Sequence, residues 1–399
     1  AAHSIRVPPG KTLEAVNALS GEPSELEDDI LKELTRVDKI IKNNDSVSVL
    51  LGRTSLAETS SIVEEGAIKL QEYLPKASFL PLLRRGNING AIDMGLSPGL
   101  LPGRCYLEEG SDALQNCWPI RPDHKGFKTK EMLEAATNGQ IDVLLLLAAD
   151  PIMDFPDSQL VQEALDRIET VIAVDIFATD SVVHADIVLP AATATEIDGS
   201  FTNLEGRISP IRKSVTPPGT ARPDWMIALD LVQYLAPNSG PSTFKELCEE
   251  ISLVSGVHKD FDLSKVEKID QEGVVLNRGL NKAHTSPVKI PKQKPNSFRL
   301  VVTRSMYDKG VLSAHSTALK GLAPGSRIKA SPEDMEKLGI TPDSTVRLIG
   351  SKGEIRTRLM PDPEVTRGTI HALWNQEGPD IRKLIDSSLP VNDLKIEKT

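Results

Sequence analysis

The feature that most limits how this chain can fold is a repeated alternation of short apolar runs with stretches of helical periodicity. Residues 142–147 read Asp-Val-Leu-Leu-Leu-Leu, a run of strand length of the kind expected for a strand covered on both faces. Residues 131–138 before it are helical and close on Gly139, residues 158–168 after it return to helix, and 171–174 and 187–189 are further strands. Upstream, residues 46–51 form a β-rich run ending at Gly52. A helical stretch follows over 56–74, with Ile62, Val63, Ala67 and Leu70 at helical spacing. Short strands alternating with helices argue for βαβ units, so the expectation is an α/β fold with a doubly wound parallel sheet.

The flanking segments read differently. Residues 1–45 form a leader and a helix, with Ser24 as N-cap and Glu25, Glu27, Asp28 and Asp29 in the first turn, where negative charge suits the helix dipole. Residues 84–127 are rich in Gly and Pro without clear periodicity, which marks a functional or interface loop more than a linker. Residues 220–235 form a helix with Pro223 in its first turn and Trp225, Ala228, Leu229, Val232 and Leu235 on one face. In the last hundred residues, 298–303 is a strand, and Ser331-Pro332-Glu333-Asp334 gives an N-cap, first-turn proline and acid in order. Alternation over 345–349, a turn Gly350-Ser-Lys-Gly353, and alternation back over 354–359 signal a hairpin, and 369–374 adds a strand. One short helix among several strands suggests a small β-barrel. The domain plan is a helical leader over 1–45, an α/β domain over 46–240, a linker region over 241–297 and a β domain over 298–399.

Charge and cysteine content exclude several classes. The 46 basic against 56 acidic residues give a net charge of −10, with no concentrated basic face for nucleic acid. The basic stretch 282–294 is interleaved with Pro287 and Pro291 and reads as a solvated linker. Three cysteines (Cys105, Cys117 and Cys248) are too few and too scattered for a disulfide framework or a four-thiolate cluster. Cys105, Cys117 and His124 lack the spacing and fourth ligand of a zinc site. No apolar run is long enough to span a membrane. The start at Ala1-Ala2-His3, without Met or a signal pattern, reads as a processed or partial piece of something longer, or an incomplete reading frame.

Several stretches are placed where chemistry occurs. Asp150-Pro151 follows the strand at 142–147, and ligands of open α/β sheets sit beyond the carboxyl ends of strands. An Asp-Pro turn is the structural alternative. The segment Asp175-Ile-Phe-Ala-Thr179-Asp180-Ser181 offers carboxylates, hydroxyls and a helix start that suit a phosphate or a pterin edge; the alternative is a capped helix with Thr179 as N-cap. Residues 196–207 form a polar, hydrogen-bonded loop containing Thr202, and the prolines of 215–225 stiffen another. His315 in the C-terminal part is, as a lone histidine, more often structural than a ligand. GxGxxG, Walker A and HExxH patterns are absent. The residues taken alone give a multi-domain α/β protein and no reaction.

The block Val174–Thr179, then Ala185-Asp-Ile-Val-Leu-Pro-Ala-Ala192, then Glu196-Ile-Asp-Gly-Ser-Phe-Thr-Asn-Leu-Glu-Gly-Arg207 resembles the signature of molybdopterin oxidoreductases, formate dehydrogenases among them. Pro217-Pro-Gly-Thr-Ala-Arg-Pro-Asp-Trp225 fits the same families. Arg84-Arg-Gly-Asn-Ile-Asn-Gly-Ala-Ile-Asp-Met-Gly95, Pro98-Gly-Leu-Leu-Pro-Gly-Arg104 and Met306-Tyr-Asp-Lys-Gly310 with Ala314-His-Ser316 resemble the large peripheral-arm G subunit of NADH-quinone oxidoreductase, respiratory complex I. The resemblance covers roughly 45–240 and 298–395.

That resemblance implies a molybdopterin-oxidoreductase α/β fold followed by a double-psi β-barrel like the molybdopterin-dinucleotide-binding domain. It implies no catalytic and no metal-binding residue in this chain, and vestigial pterin-site positions at Asp150, Asp175, Thr179, Thr202 and His315. Iron–sulfur clusters belong to a cysteine-rich N-terminal part outside this sequence, so no cofactor is expected here. The expected role is a structural part supporting NADH-to-quinone electron transfer. It would pack against other peripheral-arm subunits on the cytoplasmic, inner face of the cell membrane, without a membrane span or nucleic acid. The alternative is the C-terminal part of an active enzyme such as a formate dehydrogenase, holding molybdopterin guanine dinucleotide. A third reading is a decayed or split gene product that no longer assembles.

Overall fold

The computed structural model describes residues 3–110, 112–118, 121–237, 239–259, 273–276 and 287–399. The chain divides into two compact units, each drawn from separate stretches. One comprises Ala1–Leu82, Pro151–Gln162 and Lys282–Thr399, the other Leu83–Asp150 and Glu163–Asn281.

The second of these contains the three-stranded parallel sheet that the apolar runs announce, in the order Val143–Leu147, Thr170–Asp175, Ile187–Pro190. Leu144 lies beside Val171, Leu146 beside Ala173, and Val174 beside Leu189. The expectation of a strand buried on both faces is corrected here. Leu144 and Leu146 are buried, whereas Val143, Leu145 and Leu147 are 57%, 41% and 54% exposed. Side chains alternate across a strand, and only one face of this first strand is covered. An antiparallel sheet of Val274–Val275, Arg207–Ile211 and Gly199–Thr202 lies in the same unit.

The helix expected at 220–235 begins later, at Asp224, with Pro223 as the preceding cap residue, and runs to Leu235. Its anticipated apolar face is not buried. Ile227 is the buried residue, while Leu235 is 86% exposed. Region 241–297 carries the helix Phe244–Val254, capped where the Thr243 hydroxyl accepts from Glu246 N. Residues 260–272 and 277–286 of that region, and with them part of the basic stretch at 282–294, lie outside the described residues.

The first unit holds the seven-stranded, nearly closed sheet at the C-terminal end. Its order is Glu354–Arg358, Thr345–Ile349, Asp393–Lys398, Phe298–Thr303, Thr369–Leu373, Lys329–Ala330, Met360–Pro361. The two edge strands are consecutive in sequence, joined at Leu359, so the sheet wraps around to meet itself. Leu300, Val346, Leu348, Ile370, Trp374, Leu384 and Leu394 fill the interior and are all fully buried. The hairpin expected at 345–359 is present, with Leu348 opposite Ile355. Ser331 caps the helix Pro332–Lys337 through Asp334 N.

The amino-terminal part has two helices, Thr12–Leu19 and Asp28–Lys42. Ser24 is not the N-cap. Its hydroxyl donates to the Glu14 carboxylate and accepts from Leu26 N, which ties the connection between the helices, and the second helix starts at Asp28, three residues after the expected first residue Glu25. Strands Ser48–Leu51 and Ser78–Pro81 pair in parallel around the helix Ser61–Tyr73.

Candidate functional site

Asp150, Asp175 and Thr179 come together beyond the carboxyl ends of the parallel strands. The first strand ends at Leu147, which pairs with Val174, and Asp175 pairs with Pro190 of the third strand. Ala148, at φ +47°, donates its N–H to Val174 O at 2.8 Å and turns the chain over the sheet edge. Open α/β sheets bind ligands beyond the carboxyl ends of their strands.

Each of the three side chains is engaged locally. The Ser181 hydroxyl donates to Asp150 Oδ1 at 2.5 Å, with Ser181 fully buried and Asp150 nearly so. Asp175 Oδ1 accepts the N–H groups of Ile176 at 2.7 Å and Phe177 at 3.1 Å, an arrangement that turns the chain out of its strand. Thr179 Oγ1 accepts from Val182 N at 3.2 Å as the cap of the four-residue helix Asp180–Val183. A second acid faces Asp175: surrounding protein, and then the Asp175 charge, raise the pKa of Asp224, although that side chain keeps an exposed edge.

Thr202 does not join this group, and His315 belongs to the other unit. Thr202 is buried at the end of the strand Gly199–Thr202, where its N–H donates to Asn87 Oδ1 at 2.8 Å. His315 ends the short helix Val311–His315 in the other unit and is exposed. In that unit, the Arg304 guanidinium stacks 5.3 Å from the Trp374 ring.

The Gly- and Pro-rich loop at 84–104 is an internal strut. Asn89 Nδ2 donates to Asn203 O at 2.7 Å, and Arg104 reaches Asn89 Oδ1 at 3.0 Å and Asp93 Oδ1 at 2.6 Å. Asp93 is fully buried, so the pair compensates a charge that would be costly alone. The residues that sequence reasoning missed are Ser181 and Asp224. Ser181 stands in the quoted Thr-Asp-Ser segment, but its partner is 31 positions away and no local pattern marks the pairing.

A pterin dinucleotide is the group that this fold suggests for the strand ends, and the residues present do not fit its diphosphate. An oxyanion of that charge asks for N–H donors and cations. This end of the sheet carries the carboxyl groups of Asp175, Asp180 and Asp224, with Asp150 buried against Ser181, and its capped helix commits Val182 N–H to Thr179. Among the described residues, no group of three His, Cys, Asp or Glu side chains is placed to hold a metal ion.

The parallel sheet and its strand ends lie within residues 39–234, which match the family model described as Molybdopterin oxidoreductase. The chain is similar to several curated proteins at low identity. It is 24% identical to the NADPH-Fe(3+) oxidoreductase subunit alpha of Geobacter sulfurreducens, over 92% of this chain and 43% of the relative. It is 28% identical to the G 2 subunit of the NADH-quinone oxidoreductase of Rhizobium meliloti, over 88% of this chain and 42% of that protein. With the F420-dependent formate dehydrogenase subunit alpha of Methanocaldococcus jannaschii it shares 27% identity, over 79% of this chain and 51% of the relative. The chain thus spans about half the length of the curated relatives it matches. Acetylene hydratase from Pelobacter acetylenicus shares the fold at TM-score 0.50 and 15% identity, over 87% of this chain and 55% of that one.

Proposed function

We propose that this chain is a cofactor-free structural part of a redox complex, in the manner of the G subunit of NADH-quinone oxidoreductase, where it would support NADH-to-quinone electron transfer. The observation that carries this reading is the strand-end crevice, where Asp175 and Thr179 hold their own backbone and Asp150 receives Ser181. Side chains so engaged stabilise loops, and an acidic rim repels a diphosphate. Three relatives are named as subunits, which supports protein partners for this chain. Among the described residues no helix is long and apolar enough to cross a membrane, consistent with a peripheral place on the inner membrane face beside other peripheral-arm subunits. In the same reading, the seven-stranded sheet is a double-psi barrel that serves as a packing module.

One observation favours a second reading, the C-terminal part of an active molybdopterin enzyme. The bonds that Asp175 accepts from Ile176 and Phe177 both use Oδ1, and Oδ2 would suit the N–H edge of a guanine base. Elemental analysis for molybdenum, tungsten and iron, with fluorescence of oxidised pterin, separates the two. The structural reading expects none of these at stoichiometry in the folded chain, and no loss of turnover from Asp175→Ala in an assembled complex. Molybdenum or tungsten with pterin at about one per chain would overturn it and install the second.

A further inference from the structure

The first unit contains a cavity of about 430 Å³ whose walls come from three places. The tip of the hairpin between Thr345–Ile349 and Glu354–Arg358 supplies Lys352 and Gly353. The short 3-10 helix Ile381–Leu384 supplies Arg382 and Lys383. Ile152 and the first turn of the helix Ser158–Arg167 close the remaining side.

Two glycines allow the hairpin tip to approach the 3-10 helix so closely. A Cβ at Gly350 would lie 2.6 Å from Leu384 O, and one at Gly353 would lie 3.0 Å from Lys383 O. The contact places Lys352 and Lys383, both exposed, on the rim of one cavity.

The charges facing this space can be sorted. Asp380 is neutralised by Arg382, which donates Nε at 2.8 Å and Nη2 at 3.1 Å to its two oxygens and a third N–H to Ile152 O. Asp386 lies close to Lys352. Burial pushes its carboxyl up, but hydrogen bonds from Ser388 and the Lys352 charge outweigh that and hold its pKa low. Its oxygens are occupied by Ser388 and by Ser351 Oγ. Asp157 is buried and turned onto Leu160 N and Ser387. The rim therefore presents two ammonium groups to solvent, while the neighbouring acids are paired inside the protein. Ile152 and the aliphatic stems of the lysines supply an apolar wall.

We propose that this cavity binds a small organic phosphate, its dianion bridged by Lys352 and Lys383 and its organic part lying against Ile152. Two ammonium groups match a doubly charged group, and the volume lies within the range of small-ligand sites. The site shares no residue with the strand-end crevice, so its fate is independent of the structural role proposed above.

The test is calorimetric titration of the purified chain with pyrophosphate and with ADP, at low ionic strength. The expected result is one site per chain for either probe, weakening as salt is added. The double variant Lys352→Gln/Lys383→Gln should bind at least tenfold more weakly with an unchanged melting temperature, and Lys352→Arg/Lys383→Arg should retain binding. No binding of either probe at millimolar concentration would overturn the proposal. So would unchanged affinity in the glutamine variant, or succinate binding as tightly as pyrophosphate, which would mark a general anion surface.

Discussion

Replacing Ser181 by Ala isolates the bond on which the strand-end reading turns. Ser181 is fully buried, Asp150 is 5% exposed, and the hydroxyl-to-carboxylate distance is 2.5 Å. A hydrogen bond to a charged group contributes about 1.5–3 kcal/mol, and Ser181→Ala takes this donor from the carboxylate in a place water reaches poorly. The volume change is one hydroxyl, so the cavity contribution is small. For a unit of this size each kcal/mol moves the melting temperature by roughly 2–4 °C, so Ser181→Ala should lower it by about 3–12 °C. The assay is a double-mutant cycle with Asp150→Asn, read by denaturant unfolding at neutral pH and by calorimetry. The expected coupling energy is about 1–2 kcal/mol, since the asparagine oxygen still accepts from the hydroxyl but without the charge. A Ser181→Ala cost below about 0.5 kcal/mol, the size of an ordinary surface change, would refute the argument. Asp150 would then owe its burial to something other than this bond.

Two further outcomes follow from the barrel-like sheet. His371, hydrogen-bonded to Thr303 Oγ1 at 2.8 Å, has its pKa lowered by burial and then by the Lys329 charge. The folded state thus resists protonation there: this contribution to stability is full above the ordinary histidine value and is lost as pH falls through the depressed one. Unfolding curves of His371→Gln against pH should be flatter than those of the parent across that window, and parallel curves would contradict the assignment. Leu348→Ala, at a side chain with no exposure in the barrel core, should cost about 2–5 kcal/mol by chemical denaturation; a cost below about 1 kcal/mol would mean that the interior is loosely packed.

What is legible in the sequence is what depends on neighbours in sequence. Thr179 and Ser331 cap helices because a hydroxyl three positions before an orphan N–H is a local geometry. The hairpin over 345–358 follows from alternation on either side of a glycine-bounded turn. Ser24 misleads for the same reason. It stands before acids that suit a first turn, but Glu14, ten residues earlier, offers a carboxylate that accepts from both Ser24 Oγ and Glu25 N, and the helix begins later. The burial of 143–147 is not legible, because a run of Leu specifies a strand but not how many of its faces have a neighbour.

The same distinction governs the site residues. Asp150-Pro151 and the 175–181 segment stand where ligands bind in this architecture, and position alone suggests a cofactor for them. Yet an Asp, Thr or Ser that leaves a strand and opens a helix also has backbone N–H groups within reach, and binding those costs little further ordering because they are already tethered nearby. Asp175 and Thr179 accept them, and Asp150 receives a hydroxyl from the helix that Thr179 caps, so the loop is stabilised by the side chains that a cofactor would otherwise order. In a site built to wait for a ligand, some of these groups would stay poised and strained until it arrives. Here Asp175 and Thr179 hold their own loop and Asp150 receives Ser181, and the proposed structural role rests on that bracing.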